Sequence, residues 1–149
     1  MKKILAGILF AMLCMFAAEA QSSQKIVEID GSDTITYGQF CYLIATAEGT
    51  VSDAASFQQA FDEVRKTGVF YSDVLSTDPI PMMDAAYLCT KTWNIKGSLM
   101  YQLTKAPRYA FKQMQALEII PLTSTPTSLI SGHQALNVIT LCIDYASKK

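Results

Sequence analysis

The stretch that decides the fold is IPMMDAAYLC, residues 80–89, because its pattern returns as ITYGQFCYLI at residues 35–44 and as ISGHQALNVI at residues 130–139. Each copy begins with isoleucine and continues with proline, threonine or serine, which are residues that start or cap helices. Apolar residues then follow at helical spacing. The chain is therefore predicted to contain three similar helices with similar starts.

A longer repeat extends this pattern. Shifting the chain by 50 residues aligns 60–93 with 110–143 without a gap. The identical pairs are Ala60/Ala110, Phe61/Phe111, Thr77/Thr127, Ile80/Ile130, Ala85/Ala135 and Thr90/Thr140. Each unit is predicted to be a helix, an extended Thr/Ser/Pro loop and a second helix, which cannot bury its apolar face without a neighbouring unit. We therefore predict an all-α fold of tandem helix-loop-helix repeats in one compact bundle.

Residues 1–20 have the form of a cleavable secretory signal peptide. Lys2 and Lys3 precede an uninterrupted apolar run from Ile4 to Ala18, and an A-x-A cleavage site ends at Ala20. The run is about 15 residues long, whereas a helix needs ~20 to cross a bilayer. We expect an exported protein of the periplasm or cell surface, with no transmembrane helix after cleavage. A retained N-terminal anchor and lipid attachment at Cys14 are the alternatives.

The segment that follows, residues 21–34, is polar and contains a short alternating stretch from Lys25 to Asp30. Such alternation predicts an edge strand or an extended arm. The expected organisation is thus a signal peptide at 1–20, an extended N-terminal arm at 21–34 and the helical repeat domain at 35–149.

Charge and cysteine content narrow the function further. Without residues 1–20 the chain has ten basic and twelve acidic residues and a net charge of about −2, which, together with export, argues against nucleic acid as a partner. The remaining cysteines are Cys41, Cys89 and Cys142, an odd number without metal-ligand spacing. Buried free thiols are the plain expectation, and a bridge between Cys89 and Cys142 is the best disulfide alternative.

Motifs for catalysis are missing from the sequence. His133 is the single histidine, which excludes a histidine-dependent triad and a histidine-rich metal site. Asp62 and Glu63 are adjacent, so that on a helix their side chains diverge by about 100°. We predict that the protein is not an enzyme and needs no metal or cofactor. A small enzyme that uses carboxylates from two separate helices is the remaining alternative.

The segment from Ala85 to Leu117, here called the basic segment, contains no acidic residue. Its basic residues alternate with aromatic ones, a composition that can hold an anionic glycan or a lipid head group by charge-assisted hydrogen bonds and ring contacts. The predicted ligand-binding residues are Lys91, Trp93, Lys96, Tyr101, Lys105, Arg108 and Lys112. In the alternative interpretation the aromatic residues belong to the core, and the lysines solubilise the surface or pair with acids elsewhere.

Residues 35–146, with their repeat of helix, loop and helix in an exported chain, resemble S-layer-homology (SLH) repeats. The resemblance implies a helical bundle with pseudo-threefold symmetry that attaches to cell-wall glycan. In that family a Thr-Arg-Ala-Glu-like run at the start of the second helix contacts the glycan. The corresponding runs here are Thr36-Tyr37-Gly38-Gln39, Pro81-Met82-Met83-Asp84 and Ser131-Gly132-His133-Gln134, and none has the arginine. The resemblance therefore implies the architecture and an envelope location more than the family's ligand, and other small exported helical proteins of diderm envelopes fit as well.

The sequence thus predicts a non-catalytic binding or structural module of the cell envelope, whose partner is an envelope glycan or an envelope protein. A protein–protein adaptor or oligomer subunit is the main alternative. It would use the apolar residues Met82, Met83, Leu99 and Met100.

Overall fold

The computed structural model describes residues 23–70 and 72–148, and this part of the chain is all-helical, as predicted. It contains seven helices and no strand. They are α1 (23–30), α2 (Tyr37–Ala47), α3 (Phe57–Lys66), α4 (Met82–Thr92), α5 (Leu99–Thr104), α6 (Pro107–Ala116) and α7 (Gly132–Ser147). None of these seven helices combines the length and the apolar character that crossing a bilayer requires. The predicted signal peptide lies outside the described residues.

The helices form an inner and an outer set. The inner helices α2, α4 and α7 contact one another, while the outer helices α3 and α6 pack against α2 and α4. The third outer helix, α1, lies against α7, where Asp30 meets His133 and the carbonyl of Ile29 approaches Gly132. Each outer helix therefore packs against one inner helix and is followed in the chain by the next inner helix. The contact of α1 with α7 closes the ring.

A ring of three backbone hydrogen bonds marks the centre of this arrangement. The N–H of Ile35 donates to the carbonyl of Ile130 (3.0 Å), that of Ile130 to Ile80 (3.3 Å), and that of Ile80 to Ile35 (3.1 Å). All three isoleucines are fully buried. They are the first residues of the three copies of the repeated pattern, and such a closed cycle requires the copies to surround a common axis. The bundle therefore has pseudo-threefold symmetry.

The extended loops satisfy the free N–H groups at the starts of the inner helices. The first residue of each inner helix donates to a carbonyl that precedes the next inner helix in the cycle. These bonds are Tyr37 to Asp78 (2.9 Å), Met82 to Ser128 (2.8 Å) and Gly132 to Ser32 (2.9 Å). Thr36 and Ser131 add capping boxes with Gln39 and Gln134. The repeated loop length thus reflects a repeated backbone contact.

The predicted strand or extended arm at 25–30 is wrong, because residues 23–30 form helix α1. Ile26 and Ile29 are three residues apart, which fits one side of a helix, and Ile29 is buried in the main core. The ammonium group of Lys25 donates to the carbonyls of Ala54 (3.2 Å) and Ala55 (2.7 Å). Six residues are too few to distinguish the alternation of a strand from the spacing of a helix. Packing against the core decides between the two structures.

Candidate functional site

The predicted ligand-binding residues lie on and around α4, α5 and α6. Lys91 is in the last turn of α4, Lys105 directly follows α5, and Arg108 and Lys112 lie on α6. Because Arg108 and Lys112 are four residues apart, they share one side of this helix. Since α6 packs against both α4 and α5, the fold brings most of the basic segment to one region of the bundle.

A small aromatic cluster, here called the tyrosine cluster, forms the centre of that region. It consists of Tyr87 and Tyr101, which are buried with Ala110, and the half-buried Tyr109. It is separate from the main hydrophobic core. Burial, together with the neighbouring Tyr87, raises the pKa of Tyr101, so that its hydroxyl stays neutral at physiological pH. Tyr101 therefore presents its ring, and no negative charge, to its surroundings.

Two lysines lie over rings of the tyrosine cluster. The Nζ atom of Lys91 is 5.7 Å from the centroid of the Tyr87 ring, and that of Lys105 is 5.3 Å from the centroid of the Tyr101 ring. These distances are within the range of cation–π contacts. The rings hold the two ammonium groups near the surface without neutralising their charge, which keeps the charges available to an anion.

The positive charges of this region have no acidic partners among the described residues. The four ion pairs found there use other bases and are Arg65–Asp73, Lys66–Glu63, His133–Asp30 and Lys148–Asp144. By contrast, five exposed basic side chains of the basic segment make no such pair; this set, here called the basic surface, is Lys91, Lys96, Lys105, Arg108 and Lys112. The described residues therefore do not support the alternative in which these lysines pair with acids elsewhere.

Two aromatic members of the predicted site have packing roles. Trp93 is half-buried against the main core. Tyr101 is only 5% exposed, because it faces the tyrosine cluster. The interpretation in which the aromatic residues belong to cores is thus correct for Trp93 and Tyr101. The exposed groups available to a ligand are the cations.

The positions that align with the family's arginine are used for packing. Tyr37 and Met82 are buried, and the hydroxyl of Tyr37 hydrogen-bonds to the carboxylate of Asp84, across 47 residues of sequence. At the third position, a Cβ atom added to Gly132 would lie 1.5 Å from the carbonyl oxygen of Ile29. An arginine would therefore displace buried structure at each of the three places.

The single histidine lies outside the basic surface. Nδ1 of His133 lies 3.1 Å from Oδ1 of Asp30, and both side chains are exposed at the surface. Within 23–70 and 72–148, no group of three or more His, Cys, Asp or Glu side chains is placed to hold a metal ion. A groove of about 270 Å³ lies beside Lys91, but Glu48 and Glu63 also line it. This groove has mixed charge and does not extend the basic surface.

Comparison with known proteins gives no relative: no family model, no curated protein and no solved structure matches this chain significantly.

Proposed function

We propose that the protein is a non-catalytic, exported module of the cell envelope that binds an anionic glycan through the basic surface. The observation that carries this proposal is the set of five exposed cations without an acidic partner among the described residues, two of them lying over tyrosine rings. Cations left without partners are ready for an external anion.

The chemistry of the basic surface suits such a ligand. Arginine binds carboxylate, sulfate or phosphate groups in a bidentate manner, whereas lysine supplies a more mobile point charge. Arg108 and Lys112 are one helical turn apart, so that together they fit anionic groups repeated along a polymer. Lys91 and Lys105 flank the tyrosine cluster and extend the binding area. No step in this function requires turnover.

The architecture supports the envelope context. Three units around a pseudo-threefold axis are what the resemblance to SLH repeats implies. Because Tyr37, Met82 and Gly132 occupy the arginine positions and serve packing, we place the glycan contact on the basic surface instead. Export rests on residues 1–20, whose sequence has the form of a signal peptide.

The adaptor alternative keeps part of its support. Met82 is fully buried and Met83 packs half-buried against the core, so neither offers a docking surface. Leu99 and Met100 are exposed, as this alternative requires. Of the four residues named for this alternative, only the two on α5 are therefore available to an interface.

Retention of the protein on isolated envelope glycan tests the proposal. The chain from Gln21 onward should bind at low salt, and Arg108→Ala/Lys112→Ala should lower its affinity by at least about tenfold, since each charge-assisted hydrogen bond contributes ~1.5–3 kcal/mol. Raised salt should weaken binding of the unaltered protein.

The matched control is Lys66→Ala/Lys148→Ala, which removes the same charge from bases that already have acidic partners. It should leave binding unchanged. Equal loss in both double variants would indicate a response to net charge alone, and unchanged binding in Arg108→Ala/Lys112→Ala would reject the basic surface as the binding site.

A further inference from the structure

Helix α5 exposes an unusual amount of apolar surface for its length. Leu99, Met100 and Leu103 are 71%, 46% and 72% exposed, although the helix has only six residues. Leu99 and Leu103 are four residues apart and share one side of the helix, next to Met100. Tyr101 points the opposite way, into the tyrosine cluster. The helix is thus attached by one side chain and presents three apolar ones to solvent.

Basic residues flank α5 along the chain. Lys96 precedes α5 and Lys105 ends it, taking a left-handed backbone conformation with φ of 52°. Arg108 follows three residues later, and the acid-free basic segment includes the whole region. An apolar group bordered by cations is the composition of protein elements that lie in the interface of anionic membranes.

We propose that α5 is a membrane-docking element, in which Leu99, Met100 and Leu103 enter the interfacial layer of an anionic lipid bilayer while Lys96 and Lys105 contact lipid phosphates. The leucine side chains gain from leaving water, and each lysine gains from the negative potential at the lipid surface. The helix lies on the membrane and does not span it, since six residues cover only about 9 Å.

Charge and size favour a lipid surface over the other occupants. A second copy of the chain would bring the same cations against Lys96 and Lys105, and three side chains are far short of the ~800 Å² per partner that a stable interface buries. An anionic glycan uses the cations but leaves the leucines in water. Membrane docking therefore goes beyond the proposed function and explains the exposed residues that glycan binding does not require.

Co-sedimentation with lipid vesicles tests the proposal. The chain from Gln21 onward is used, because the apolar run at 4–18 would bind vesicles by itself and the helical ring closes within 23–148. It should bind vesicles of equal phosphatidylglycerol and phosphatidylcholine, and bind pure phosphatidylcholine at least tenfold more weakly. Leu99→Ser/Leu103→Ser should reduce binding to the anionic vesicles by at least about tenfold.

The matched control is Leu75→Ser/Leu122→Ser, which alters two loop leucines of similar exposure, 65% and 79%. It should bind vesicles as the unaltered protein does. Lys96→Gln/Lys105→Gln should lose about fivefold per charge, the factor that ~1 kcal/mol for each basic residue represents. Lys148→Gln, which removes an ion-paired lysine, should lose much less.

A second measurement detects docking directly and does not depend on a variant that loses vesicle binding. In Leu103→Trp, vesicles should shift the tryptophan emission to shorter wavelength and brominated lipid should quench it, both beyond any change in the unaltered protein, which has Trp93. Circular dichroism checks that each variant keeps its helices.

Three results would overturn the membrane proposal. They are equal binding to neutral and anionic vesicles, unchanged binding of Leu99→Ser/Leu103→Ser, and self-association that this double variant abolishes without any vesicle binding. Retention on lipid-free envelope glycan separates the two proposals, since Leu99→Ser/Leu103→Ser should preserve it and Arg108→Ala/Lys112→Ala should not.

Discussion

At the scale of single residues, the contact between Tyr37 and Asp84 joins two inner helices. Tyr37 begins α2 and Asp84 lies in the first turn of α4. Burial first, and the neighbouring carboxylate second, raise the pKa of the Tyr37 hydroxyl above its ordinary value of about 10. The folded protein therefore favours the neutral hydroxyl, which donates a hydrogen bond to the carboxylate of Asp84.

Tyr37→Phe tests this contact. We expect a loss of about 1–2 kcal/mol in the free energy of unfolding at pH 7, because Asp84 loses its donor. The folded-state pKa is raised, so the stabilisation is complete below pH ~10 and is lost as the unfolded chain ionises above it. Urea unfolding from pH 7 to 11 should show the difference between the two proteins shrinking at high pH.

The control for this prediction is Tyr109→Phe, which alters a half-buried tyrosine of the other cluster. At pH 7 it should lower the free energy of unfolding less than Tyr37→Phe does, because no hydrogen bond from its hydroxyl to a carboxylate is found among the described residues. A constant difference between the unaltered protein and Tyr37→Phe across the whole range would contradict the role of the hydroxyl.

At the scale of elements, the sequence predicted most of the helices but not the contacts between them. The repeated pattern locates α2, α4 and α7, since apolar spacing and caps are local signals. Helix α1 was missed, because its helicity depends on the place that α7 offers to Ile29. The candidate site shows the same division: the basic residues were predictable from sequence, whereas the burial of Tyr101 and the Tyr37–Asp84 contact arise only when distant helices pack.

Gly132→Ala tests the packing of α1 on α7. The added Cβ atom would lie 1.5 Å from the backbone carbonyl oxygen of Ile29, and backbone cannot move aside as a flexible side chain does. We expect the free energy of unfolding to fall by about 1–3 kcal/mol, as for other overpacked sites, measured by chemical denaturation.

Gly31→Ala is the matched control, since its added Cβ atom would meet its nearest neighbour, the carbonyl oxygen of Val27, at 3.4 Å. It should change stability much less. Equal stability of Gly132→Ala and the unaltered protein would mean that α1 does not approach α7 so closely.

At the scale of the whole molecule, the three units depend on one another. The isoleucine ring and the loop carbonyls give each inner helix backbone partners from neighbouring units. A unit that unfolded alone would leave unpaired backbone groups in the others. The chain also has one buried free thiol on each inner helix, at Cys41, Cys89 and Cys142, and the alternative Cys89–Cys142 bridge is not formed.

These thiols can report whether unfolding is cooperative. Burial raises the pKa of Cys41 to about 12, and burial together with the neighbouring Cys142 raises that of Cys89. Since all three thiols are fully buried, they should resist alkylation at pH 8. Brief labelling with N-ethylmaleimide at increasing urea, read by mass spectrometry, should modify all three at the concentration where circular dichroism is lost. Labelling of one thiol at lower urea would show a unit that unfolds alone.

The closure of α1 on α7 also bears on the timing of folding. Because α1 packs against α7, the bundle cannot complete its native structure until α7 has been synthesised, whatever the helices between them do in the meantime. For a protein that we propose to be exported, this dependence on α7 would delay folding, whereas a domain without such closure can fold while the rest of the chain is still being synthesised. If the chain is exported, as we propose, the circular arrangement would leave the fold to be completed only after α7 has crossed the membrane.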